Sequence, residues 1–108
     1  MIYNVDKVCT VNGSYLKDKL NEAFKPWQTG EPDREVPLME KAKQVGPETI
    51  EMNTQEGSKI WVEFNEYSAQ LLAGDDCRVL CAGSIDNGGI YFEHEFAAAC
   101  VKAIKEWW

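Results

Sequence analysis

Residues 77–94 read Cys77-Arg78-Val79-Leu80-Cys81-Ala82-Gly83-Ser84-Ile85-Asp86-Asn87-Gly88-Gly89-Ile90-Tyr91-Phe92-Glu93-His94, and the pairing of this stretch decides the fold. Asn-Gly between two strand-like runs is the strongest short-range hairpin signal, because both central residues of a type I′ turn adopt positive φ. With Asn87 and Gly88 at the tip, a hairpin over 77–94 pairs Ile85 with Ile90, Gly83 with Phe92 and Cys81 with His94 on one face. Ala82, Ser84, Tyr91 and Glu93 then fall on the other. One apolar face and one mixed face suit an antiparallel sheet covered on one side.

The cover follows in the chain. Phe96, Ala97, Cys100, Val101, Ile104 and Trp108 recur at three- and four-residue spacing, so 95–108 is expected to be a helix laying that stripe on the hairpin. Lys102 and Lys105 lie off the stripe, near the negative end of the helix dipole. Trp107 and Trp108 cannot both enter one core, which leaves at least one at a rim or an interface.

Before this stretch, 48–64 reads as a second hairpin around the loop Gln55-Glu56-Gly57. Gly57 supplies the left-handed position, and the register pairs Met52 with Ile60 and Ile50 with Val62. Ile50, Met52, Ile60, Val62 and Phe64 then share a buried face, with Glu51, Asn53, Trp61 and Glu63 opposite. A slip of one residue would bury the glutamates. Residues 65–74, with Tyr67, Ala69, Leu71 and Leu72, could prolong the preceding strand, but their helix formers favour a short helix capped by Asn65. Asp75-Asp76 is the turn after it.

Towards the amino terminus, 2–11 alternates as a strand, and Ser14 is expected to cap a helix carrying Leu16, Leu20, Ala23, Phe24 and Trp27 up to Pro26. A polar loop spans 28–35. A short helix from Pro37, burying Leu38, Met39, Ala42 and Val45, is expected to stop at Gly46-Pro47. Residues 1–108 therefore form a single α+β domain, a small and mainly antiparallel sheet with helices packed on one face.

At 108 residues the chain can build a core without metal or disulfide staples. Its net charge of −7, with Lys and Arg scattered, argues against nucleic acid or an anionic membrane as partner. Met1 to Asp6 has no basic or apolar segment of the signal-peptide kind, and no apolar run approaches a membrane span. A cytoplasmic location with reduced cysteines is the expectation.

Three chemistries are worth weighing. Cys81 opposite His94, roughly 5 Å apart at the backbone, could be a nucleophile and its base, with Glu93 or Glu95 orienting the ring. Against it, Ile85, Ile90 and Phe92 share that face, so the site should be dry and the Cys81 thiol neutral and slow. A metal site is rejected, since Cys77 and Cys81 lie roughly 13 Å apart along a strand, and no cofactor motif is present. The third is an exposed aromatic among carboxylates: Trp61 beside Glu51 and Glu63, with Tyr91 and Trp107 as further binding candidates. The composite expectation is a small acidic, non-catalytic and homodimeric binding protein that takes a basic protein surface or a small apolar ligand. An enzyme using Cys81 and His94 is the alternative.

Overall fold

A computed structural model describes residues 10–29, 37–88 and 91–108. Asn12 opens the first helix, α1 (Gly13–Ala23): its Oδ1 accepts the Tyr15 N–H at 3.0 Å. The cap is therefore two residues earlier than Ser14. Gly13 is required here, since a Cβ would sit 2.5 Å from the Phe64 ring. Leu16, Leu20 and Phe24 are fully buried from this helix. Pro26 does not end the helical run but sits in the first turn of α2 (Lys25–Gln28), where its missing N–H leaves no bond unmade. Trp27 of that turn meets Phe24 edge-on, 4.9 Å between centroids.

The helix expected from Pro37 is absent. Residues 37–42 are not helical, and three of their amides find partners outside the segment. Met39 N–H donates to the Trp27 carbonyl, Glu40 N–H to that of Asn53, and Ala42 N–H to Asn21 Oδ1, all at 2.8 Å. Asn21 also donates from its Nδ2 to the Ala42 carbonyl at 3.2 Å, so one side chain imitates a strand neighbour. Met39 and Ala42 are buried as expected, but Val45 is 53% exposed in β1 (Lys43–Gly46).

The sheet continues as β2 (Thr49–Glu51), β3 (Ile60–Phe64), β4 (Ser68–Ala73) and β5 (Arg78–Ser84), antiparallel and in the order of the chain. The β2–β3 hairpin has the expected register: Ile50 opposes Val62, Met52 N–H donates to the Ile60 carbonyl at 2.9 Å, and Gly57 has φ 100°. Residues 65–74 are not a helix. Asn65 Oδ1 accepts the N–H groups of Tyr67 and Ser68 at 2.8 and 2.9 Å, an Asx turn that folds β4 back on β3. Leu71 and Leu72 are then buried on opposite faces of a central strand, which removes the alternation expected of a half-exposed one.

The hairpin over 77–94 is corrected in consequence. β5 pairs with β4, not with 91–94, so Cys81 opposes Leu71 and Gly83 opposes Ala69. Ile85–Gly88 forms a helical turn, α3, and Phe92–Trp107 the long terminal helix, α4. That helix starts three residues before the expected 95. Its stripe Phe96, Ala97, Cys100 and Ile104 is buried, while Trp108 is 46% exposed beyond its end. The proposed N-terminal strand 2–11 lies largely outside the described residues. At its described end, Val11 N–H donates to the Glu66 carbonyl at 2.9 Å.

α1 and α4 pack on each other and on one face of the sheet. The core between them joins Leu16, Leu20, Ile50, Val62, Leu71 and Ile104, none of which meets solvent. The architecture is α+β, and among the described residues no helix is long and apolar enough to cross a membrane.

Candidate functional site

With both long helices on one face, the other face of the sheet is open among the described residues. Two rows of side chains cross it. In the first, the pairings Glu51↔Trp61, Trp61↔Leu72 and Leu72↔Val79 run across four strands. In the second, Thr49↔Glu63, Glu63↔Gln70 and Gln70↔Ala82 do the same. Cross-strand neighbours lie within roughly 5 Å at Cβ, so each row is a continuous strip. The Trp61 indole N–H donates to Glu63 Oε2 at 3.0 Å. That bond links the aromatic row to the polar one and fixes the carboxylate.

Over the second row lies a groove of about 670 Å³. Its floor carries Thr49, Gln70 and Ala82, and the Ser68–Ser84 pair closes one end. Among the described residues, Glu48 and Glu63 are its only ionisable lining residues. Small side chains at Ala82 and Ser84 keep it open. Two carboxylates with hydroxyl and amide groups, and no ammonium or guanidinium among them, offer acceptors to a cation.

Trp61, Glu51 and Glu63 are therefore together on the open face, as their hairpin implied. Tyr91 and Trp107 are elsewhere. Tyr91 is exposed at the start of α4, and Trp107 is half-buried against the core beside Leu80. The groove residues Ser68, Gln70, Ala82 and Ser84 were not legible as a site, because they meet only through the β4–β5 pairing.

Cys81 and His94 lose the hairpin that was to join them. His94 is exposed in the first turn of α4, and Cys81 faces α4 at Cys100. Six residues separate His94 from Cys100, about 240° around a helix of 3.6 residues per turn, so the imidazole is on another side. The Cys81 thiol is also not dry: it is half-buried, and its pKa is lowered, first by hydrogen bonding with the Cys100 thiol and also by the Leu71 amide. Burial does act as expected on Cys100, pushing that thiol well above its ordinary pKa. Among the described residues no cluster of three His, Cys, Asp or Glu side chains is placed to hold a metal ion.

These environments rank the thiols. Cys77 is exposed in the turn before β5 and Cys100 has no solvent contact. With iodoacetamide near neutral pH, Cys77 and Cys81 are expected to alkylate well before Cys100, whose labelling should follow unfolding. Peptide mass mapping over a time course checks it, and labelling of Cys100 at the pace of Cys77 would contradict the packing.

No protein-family model, curated protein or solved structure matches the chain.

Proposed function

We propose that this protein is a non-catalytic binding protein whose open sheet face takes a cationic, extended segment of a partner protein. The observation that carries the reading is the groove over β2–β5, which holds Glu48 and Glu63 and, among the described residues, no basic side chain. Three features support it. Trp61, bonded to Glu63, lines the neighbouring recess with Glu51 and Lys59 and continues the face beyond the groove. The net charge of −7 draws a basic partner over distance. Beside Phe64 and Ala82, the hydroxyls and amides of Thr49, Asn65, Ser68 and Gln70 offer hydrogen-bond partners to an extended peptide.

Calorimetry with a peptide of alternating arginine and threonine tests it. Binding on the order of micromolar is expected, weakening as salt is raised. The same peptide with citrulline for arginine should not bind. Glu48→Gln with Glu63→Gln should weaken the arginine peptide by at least about tenfold, since each removes a charged hydrogen-bond partner. Equal affinity for both peptides, or for both proteins, removes the reading.

A homodimer is the second reading, favoured by Val79, 49% exposed at the end of the aromatic row. Pairing two copies through this face would bring Glu51 and Glu63 against their own counterparts, so the contact would have to centre on Trp61, Leu72 and Val79. Sedimentation at tens of micromolar, roughly where such a contact would form, should show a dimer that Trp61→Lys dissociates. A monomer at that concentration leaves the groove reading alone.

A further inference from the structure

β5 and α4 run antiparallel with their residues in step. Gly83 is tucked beneath the stacked rings of Phe92 and Phe96: a Cβ there would be 3.2 Å from the first and 3.4 Å from the second. Moving two residues back along β5 covers about 6.8 Å and arrives at Cys81. Moving four residues on along α4 covers about 6.0 Å and arrives at Cys100. The march continues, for Leu80 and Val79 share a recess with Ala103 and Trp107. A β-bulge assists: Leu71 opposes Cys81 but Leu72 opposes Val79, so Leu80 is an extra residue. It lets Leu80 and Cys81 both lean toward the helix, where both pack on the core. The two sulfurs are thus brought face to face, one half-buried and one sealed.

We propose that Cys81 and Cys100 form a reversible intramolecular disulfide when the protein meets hydrogen peroxide, with Cys81 as the solvent-facing thiol that attacks the peroxide and Cys100 as the resolving one. The Cys81 thiolate attacks one peroxide oxygen and breaks the O–O bond. This gives a sulfenic acid on Cys81 and, after protonation, one water. The Cys100 sulfur then attacks the Cys81 sulfur; an S–S bond forms, the S–O bond breaks, and the departing hydroxide leaves with the Cys100 proton as a second water. Two thiols are oxidised by two electrons in total, and both peroxide oxygens are reduced to water. A thiol reductant reverses the step. Hydrogen bonding with Cys100 favours the thiolate of Cys81, and its partial exposure admits the oxidant. The bond would staple α4 to the edge of the sheet. This reading is independent of what the groove binds.

The test uses the full chain with Cys9→Ser and Cys77→Ser, which leaves this pair as the only thiols, treated with hydrogen peroxide and read by intact mass and peptide mapping. The expected product is a monomer lighter by two hydrogens, carrying a Cys81–Cys100 linked peptide, with a raised midpoint of thermal unfolding. Dithiothreitol should restore both. In Cys100→Ala, the sulfenic acid should persist and be trapped by dimedone on Cys81. Sulfinic acid accumulating on Cys81 of the two-thiol protein with no cross-link would overturn the proposal. So would a covalent dimer as the main product, since either means that Cys100 does not reach the oxidised sulfur.

Discussion

Leu71→Ala is expected to destabilise the protein by about 2–5 kcal/mol, the usual range for a leucine removed from a sealed core, while Leu72→Ala beside it costs roughly 1–2 kcal/mol. Both side chains are nearly inaccessible, at 0% and 5% exposure. They differ in what surrounds them. Leu71 lies between Val62 and Cys81 on the helix-covered face, where the layers above and below prevent collapse around the void. Leu72 lies between Trp61 and Val79 on the open face, where those side chains can close over the gap. Urea denaturation of the two variants measures the contrast. Equal losses, or the larger one at Leu72, would mean that the outer face is as firmly covered as the inner.

The same pair shows why this part of the fold was hard to read. Ala69-Gln70-Leu71-Leu72-Ala73 has good helix formers and no alternation, and propensity is a local quantity. The strand is imposed from outside, by β3 and β5 on either side, and burial of Leu72 on the outer row beside Leu71 on the inner one breaks the alternation. Once β4 exists it takes the inner edge of β5, and the Asn87-Gly88 signal, strong as it is locally, has no second strand to turn into. The β2–β3 hairpin was legible because its requirements were local: a residue for positive φ at Gly57 and an apolar set of period two. The terminal helix was legible for the same reason. Of the candidate site, only Trp61, Glu51 and Glu63 belonged to such a local unit. The groove and the Cys81–Cys100 pair depend on strand order and on the step between β5 and α4, which no short window of sequence holds.

Glu93 carries the remaining large effect. Assigned by the hairpin reading to an outer face, it is instead only 5% exposed in the first turn of α4, and its Oε2 accepts the Asn12 backbone N–H at 2.9 Å. Asn12 in turn caps α1 through Tyr15, so one carboxylate ties the entry of the first long helix to the start of the last. An acidic residue there also suits the positive end of the α4 dipole. Glu93→Ala leaves that amide without its partner and opens a space beside it, for an expected loss of about 1–3 kcal/mol. Glu93→Gln keeps an accepting oxygen in place and should lose clearly less. Denaturant unfolding gives the two stabilities, and amide hydrogen exchange at Asn12 and Tyr15 reports where the loss falls: protection should drop there in Glu93→Ala and largely survive in Glu93→Gln. If glutamine proves as damaging as alanine, the negative charge at the helix start outweighs the bond to Asn12. If neither substitution moves stability or exchange, the carboxylate does not join the two helices.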